Sequence, residues 1–157
     1  MKINKKKFIY LISPNKIQQK FYTNLITILK TQKVGFFQLR LKKESFQRKI
    51  FIGKKIQKIC KEYNTKFLVN DDVLLAKKLN SDGCHLGQND MKIFEARKIV
   101  KKKIIGITCH NSIKFTKLAI KNKADYLAFG AFFPTKTKKT KFKANLEFLK
   151  SVIKLTK

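Results

Sequence analysis

Short apolar runs alternate along the chain with longer stretches whose apolar positions recur every three or four residues. The runs Phe8–Ile12, Gly35–Arg40, Lys66–Asp71, Gly83–Gly87, Ile104–His110 and Tyr126–Phe133 are rich in Ile, Phe, Leu and Val and are bounded by polar residues. That pattern predicts buried strands. Within Ser45–Tyr63, the apolar positions Phe46, Ile50, Ile56, Ile59, Cys60 and Tyr63 can share one helical face, with Lys49, Lys54, Lys55, Lys58 and Lys61 mostly on the other. Ser45 is the expected N-cap of that helix, and Ser112 that of Ile113–Lys121. A last amphipathic stretch, Ala144–Leu155, repeats the spacing through Leu146, Leu149 and Ile153. Strand and helix therefore alternate six times without a Pro/Gly-rich linker, which predicts one α/β domain over residues 1–157, with a parallel sheet and helices outside it. A doubly wound sheet and a (β/α) barrel both satisfy the periodicity.

Composition qualifies this picture. The chain has 157 residues, enough for one domain with a real core, and 43% hydrophobic and 11% aromatic content excludes a disordered chain. The formal charge of +29 would ordinarily point to nucleic acid or an anionic membrane surface. Yet only Arg40, Arg48 and Arg97 are arginines among 38 basic residues, whereas guanidinium is the favoured group for reading phosphates and bases. The lysines are spread along the whole chain, and Lys, Ile, Phe and Asn, all specified by A/T-rich codons, make up 77 of the 157 residues. Compositional drift explains the charge better than selection for nucleic-acid binding, although the positive field favours anionic substrates.

Cys60, Cys84 and Cys109 are isolated thiols without C-x-x-C spacing, as expected of small buried residues in a reducing cytoplasm. The basic start followed by Phe8–Ile12 imitates a signal peptide, but Pro14 and Lys16 interrupt the apolar run and no small-residue cleavage site follows. No uncharged apolar stretch approaches the roughly 18 residues of a spanning helix. A soluble cytoplasmic protein is expected.

In parallel α/β folds of both kinds, ligands bind at the C-terminal ends of the strands. Five of the six ends carry unusual groups: Gln38-Leu39-Arg40-Leu41-Lys42, Asn70-Asp71-Asp72, Gln88-Asn89-Asp90, Thr108-Cys109-His110 and Pro134-Thr135-Lys136-Thr137-Lys138. Alternation would put Gln38, Arg40 and Lys42 on one face, suited to phosphate. Thr135, Thr137 and Lys138 make an anion cradle or a plain polar loop. Four of the nine acids (Asp71, Asp72, Asp82 and Asp90) fall between residues 71 and 90. Two carboxylates at neighbouring strand ends suit Mg²⁺, which commonly takes one or two carboxylates with water and phosphate oxygens. Helix N-caps explain Asp71 or Asp72 and Asp90 equally well. His85, inside a strand, reads as structural, and His110, at a strand end, as structural or as an acid/base group.

Taken together these motifs resemble thiamine phosphate synthases. The matching stretches are Gln38–Lys42, Asn70-Asp71-Asp72-Val73, Asp82–Asp90, Ile105-Gly106-Ile107-Thr108 and Gly130–Lys138, in the family's order and at its spacing. The resemblance implies a TIM barrel that joins a pyrimidine methyl diphosphate to a thiazole ethyl phosphate and releases pyrophosphate. It implies that Gln38, Arg40, Lys42, Asn70 and Lys138 hold the pyrimidine diphosphate, Arg40, Lys42 and Lys138 being the catalytic cations, and that Thr108 contacts the same substrate. Asp71 and Asp90 would ligate Mg²⁺, Thr135 and Thr137 would bind the thiazole phosphate, and Leu39, Leu41 and Lys136 complete the substrate-binding stretches. The two phosphorylated substrates are then the expected partners, with no specific nucleic acid and no membrane.

The related thiazole tautomerase, with a histidine near His110 as acid/base, and a non-catalytic basic protein binding phosphate or RNA are the alternatives. A TIM barrel takes about 250 residues and eight strands. Six are expected here, so the resemblance implies a C-terminally truncated barrel lacking its last two strands. Self-association, or a second chain completing the barrel, would follow from open strand edges.

Overall fold

The computed structural model describes residues 7–134 and 142–156. Its backbone divides into two compact units, Met1–Cys84 and His85–Lys157. In the first, β1 (Ile9–Ile12), α1 (Gln19–Leu29), β2 (Val34–Leu39), α2 (Phe46–Glu62), β3 (Lys66–Asn70) and α3 (Val73–Lys78) follow one another. The strand β4 (Gly83–Leu86) spans the division. The second unit continues through α4 (Ile93–Val100), β5 (Ile104–His110), α5 (Ile113–Lys121), β6 (Tyr126–Phe129) and α6 (Leu146–Leu155). The strand–helix alternation read from the sequence is thus observed.

In the first unit β1, β2 and β3 pair in parallel, with Tyr10 opposite Phe36, Ile12 opposite Gln38, and Phe37 opposite Phe67. One sheet face carries Phe37, Leu39, Phe67 and Val69, all buried. Phe37 and Phe67 stack at 6.2 Å, and Phe21 of α1 meets the Phe37 ring edge-on. Against the same face, α2 comes in at Gly53, where an added Cβ would lie 2.7 Å from Leu79 and 3.3 Å from Leu39. The apolar stripe of α2 is Ile52, Ile56 and Cys60, each buried. Gln38 points to the opposite sheet face because strand side chains alternate.

The helix starts follow local hydrogen-bond chemistry. Ser45 Oγ accepts from the Arg48 N–H at 3.2 Å and Ser112 Oγ from the Phe115 N–H at 3.2 Å, as the sequence predicts. The last helix begins at Leu146 rather than Ala144, because Asn145 Oδ1 takes the Phe148 N–H at 2.8 Å.

Several strands end earlier than their apolar runs. β2 stops at Leu39 because the Arg40 N–H goes to Ser13 Oγ at 2.8 Å instead of to a neighbouring strand. β3 stops at Asn70, whose carbonyl accepts from the Asp72 N–H at 2.7 Å around Asp71 at φ 63°. That is a γ-turn with a positive central φ, a strained form. β4 stops at Leu86, and the Gly87 N–H goes to Asp90 Oδ2 at 2.6 Å. β6 ends at Phe129, not Phe133, since Ala131 exchanges backbone hydrogen bonds with Phe142 and Ala144.

At the opposite ends of the strands the same device occurs once in each unit. Asp82, just before β4, gives its N–H to the Phe67 carbonyl at 2.9 Å and accepts the Phe67 N–H on Oδ2 at 2.9 Å. Asp125, just before β6, repeats both bonds with Ile105, each at 2.8 Å. Arg97 then joins Asp125 Oδ2 at 2.6 Å to the carbonyls of Lys101, Lys103 and Lys123.

Candidate functional site

In the first unit the C-terminal ends of β2 and β3 lie side by side because the two strands are parallel neighbours. Gln38, only 3% exposed, donates its amide to Tyr10 Oη at 3.2 Å. Past the end of β2, the Arg40 guanidinium donates to Asn15 Oδ1 at 3.3 Å. Lys42 Nζ is 3.3 Å from Asp71 Oδ2, in a pair whose side chains are 50% and 33% exposed. A cavity of about 210 Å³ beneath these ends is lined by Leu39, Leu41, Lys42, Lys49, Asn70 and Asp71, with Asp72 and Leu75. The structure therefore brings Asn70, Asp71 and Lys42 together.

Leu39 and Leu41 are 2% and 4% exposed and turn their side chains into the core. Because β2 ends at Leu39, strand alternation does not account for the direction of Arg40 and Lys42; Ser13, Asn15 and Asp71 hold them instead.

The acidic island separates into distinct jobs. Asp82 serves a strand start, and Asp72 Oδ1 caps α3 by accepting from the Leu75 N–H at 2.9 Å. Asp71 is not the cap, and α4 begins behind Lys92 rather than Asp90. Among the described residues no group of three or more His, Cys, Asp or Glu could hold a metal ion. Within the first unit, the half-exposed Asp71 carboxylate is the oxygen type that suits a hard cation, which takes one or two carboxylates and draws its other oxygens from water and phosphate. Lys42, beside Asp71, leaves that carboxylate accessible rather than buried.

In the second unit Thr108 lies near the end of β5. Its hydroxyl is 2.8 Å from His85 Nε2, and its carbonyl accepts from the Gln88 amide. The other ring nitrogen of His85 is 2.8 Å from Tyr126 Oη. His110 sits at φ 55°, with its ring stacked on Phe142 at 4.1 Å. Thr135, Lys136, Thr137 and Lys138 lie outside the described residues.

All three cysteines are free and buried. Burial, helped by the nearby Asp82 charge, pushes the Cys60 thiol up to about 12. Burial raises Cys109 to about 11 against a hydrogen bond with Thr116 that acts the other way. Neither is an available thiolate near neutral pH. No helix among the described residues is long and apolar enough to cross a membrane.

Ser13, Asn15, Tyr10, Lys49 and Tyr126 also contribute, and none of them is among the candidates read from the sequence. For the first two a signal existed in Ser13-Pro14-Asn15, a polar turn directly after β1.

Fold and site define a (β/α) protein of TIM-barrel type, with cations, amides and a carboxylate gathered at its strand ends. The family profile "Thiamine monophosphate synthase" matches residues 9–157, so the chain belongs to the thiamine monophosphate synthase family. It is 62% identical over 159 aligned positions to a thiamine-phosphate synthase of Pelagibacter ubique, covering 99% of this chain and 77% of that protein. A thiamine-phosphate synthase of Bacillus mycoides is 46% identical over 109 positions, covering 68% of this chain and 49% of that one. Among solved structures, a thiamine phosphate pyrophosphorylase from Pyrococcus furiosus superposes with a TM-score of 0.83 at 29% identity, over 97% of this chain and 72% of its own.

Proposed function

We propose that this protein catalyses thiamine phosphate formation, with the pyrimidine methyl diphosphate and the thiazole ethyl phosphate as its substrates. The carbon–oxygen bond to the diphosphate breaks, pyrophosphate leaves with the bonding pair, and the thiazole nitrogen supplies the pair for the new carbon–nitrogen bond. The observation that carries this reading is the 62% identity to a thiamine-phosphate synthase over nearly the whole chain. The grouping of Lys42, Asn70 and Asp71 around one cavity supports it.

In this reading Arg40, Lys42 and Lys138 meet the charge that develops on the departing diphosphate, where preorganised cations act most strongly. Gln38 and Asn70 orient the pyrimidine diphosphate, and Thr108 contacts the same substrate. Thr135, Lys136 and Thr137 take the thiazole phosphate. Asp71 and Asp90 are the residues that would hold Mg²⁺, which when bound neutralises diphosphate charge. Three buried free cysteines support a reducing, cytoplasmic setting.

The test is a paired assay of pyrophosphate and thiamine phosphate with purified protein. Equal amounts of both products, formed only with Mg²⁺ and lost in Asp71→Ala, are expected. Absence of both products, together with RNA binding that weakens steeply with salt and survives Asp71→Ala, would overturn the reading in favour of a basic binding protein.

A further inference from the structure

His85 is 9% exposed and held at both ring nitrogens by hydroxyls, Tyr126 Oη on Nδ1 and Thr108 Oγ1 on Nε2, each at 2.8 Å. A buried histidine needs partners, but this one is served by a dedicated backbone arrangement. Tyr126 sits opposite Gly106 in the β5–β6 register, and a Cβ at Gly106 would overlap the phenol ring. The missing side chain is what lets the ring reach His85, on which it stacks at 5.6 Å and 26°. Thr108 follows Gly106 by two residues, so both face the same side of β5. The Gln88 amide fixes the Thr108 backbone at the same point.

We propose that Tyr126 and His85 are positioning residues that set the direction of the Thr108 hydroxyl toward substrate. The inference rests on the reading above that Thr108 contacts the pyrimidine diphosphate. A neutral imidazole offers one donor and one acceptor, so the two hydroxyls must play opposite roles. The phenol is the more acidic hydroxyl and donates to Nδ1; Nε2–H then donates to Thr108 Oγ1. The Thr108 proton is thereby left for an acceptor on the substrate. Without Tyr126 the ring loses its fixed tautomer, and Thr108 its fixed direction.

The experiment is steady-state kinetics with each substrate varied separately, for Thr108→Ala, Tyr126→Phe, His85→Leu, His85→Gln and the double variant Thr108→Ala/Tyr126→Phe. Melting curves accompany every variant. Tyr126→Phe removes one hydroxyl and should lower kcat/KM for the pyrimidine diphosphate by roughly 5- to 15-fold, the worth of one hydrogen bond, while the KM for the thiazole phosphate stays put. His85→Gln, whose amide can still donate toward Thr108, should retain more activity than His85→Leu. In the Thr108→Ala background, Tyr126→Phe should cost nothing further. Wild-type kinetics for Thr108→Ala would sink the Thr108 assignment, and this inference with it. Impaired Thr108→Ala alongside unimpaired Tyr126→Phe, or losses that multiply in the double variant, would overturn this inference alone.

Discussion

Replacing Asp71 separates backbone strain from chemistry at one position. Its φ of 63°, enclosed by the hydrogen bond from the Asp72 N–H to the Asn70 carbonyl, is a conformation glycine adopts freely. For a residue with a Cβ it costs about 1–2 kcal/mol, least for Asp and Asn. Asp71→Gly relieves about 1 kcal/mol of that strain but adds about 0.7 kcal/mol of unfolded-chain entropy. Loss of the Lys42 contact, half-exposed and screened, removes about 0.5 kcal/mol or less. The glycine variant should therefore match wild type to within about 0.5 kcal/mol. Asp71→Ala loses the same ion pair and keeps the Cβ strain of about 1–2 kcal/mol, but is spared glycine's unfolded-chain entropy of about 0.7 kcal/mol, so it should fall about 0.3–1.3 kcal/mol below glycine. At an unstrained site the order is the reverse. With a urea slope of about 2 kcal/mol/M, the two unfolding midpoints should differ by about 0.2–0.6 M. Both variants should lose Mg²⁺-dependent pyrophosphate release. An alanine variant as stable as the glycine one would refute the strain, and retained turnover in either would refute the need for the carboxylate.

Three further outcomes follow from the same geometry. Asp125→Ala removes a charge-assisted bond to the Ile105 N–H and the partly exposed Arg97 pair, so denaturant unfolding should show a loss of about 2–3 kcal/mol; Asp125→Asn, which can still accept that N–H, should lose about 1 kcal/mol or less, and equal losses would be the contrary result. Both shifted thiols stay protonated in the folded chain well above their ordinary value of 9.0, so their stabilising contribution is whole below pH 9 and is lost as pH climbs toward 11 and 12. At pH 10 each should lower stability by about 1.4 kcal/mol relative to pH 8, and a Cys60→Ala/Cys109→Ala protein with the same alkaline loss would contradict this. Chelation should abolish product formation and Mg²⁺ should restore it, without a change in the melting temperature of the substrate-free protein; full turnover in chelator would remove the ion from the proposed reaction.

The alternation of strands and helices was legible because each element buries one side. Phe37, Phe67, Ile56 and Cys60 are buried where the apolar runs and spacings put them, whereas Phe46, expected on the buried face of α2, is 42% exposed and Ile52 is buried in that helix instead. Strand ends were less legible, since they depend on where the next N–H goes. Ser13 captures that of Arg40 from 27 residues away, and no local pattern announces it. Asp90 captures that of Gly87 across one turn, where the sequence pattern offers a helix cap or a metal ligand. Gln38, Arg40, Lys42, Asn70 and Asp71 were recognisable as site candidates because polar groups are out of place at strand ends. The partners that orient them are Tyr10 inside β1 and Ser13 and Asn15 in the turn after it; that turn is visibly polar, but nothing local ties it to β2. His85 could be read as structural from its strand position, but its link to Thr108 through space could not.

Why the few acids carry information in a chain of charge +29 has a chemical reason. Lysine offers donors only, so a backbone N–H without a carbonyl partner must find an acceptor elsewhere. Asp82, Asp125, Asp72 and Asp90 each accept such an N–H, from Phe67, Ile105, Leu75 and Gly87. Glu95 does the same for Lys92 at the start of α4. These positions resist replacement by lysine whatever the compositional drift, because the fold needs the acceptor. Asp71 is held differently, by a lysine ammonium and in a strained turn that glycine would tolerate better. Folding therefore gives little reason for a carboxylate there, and the chemistry at the strand ends gives a good one. Asp90, which also closes a turn, cannot separate the two roles when mutated. Loss of turnover in a well-folded Asp71→Gly protein can.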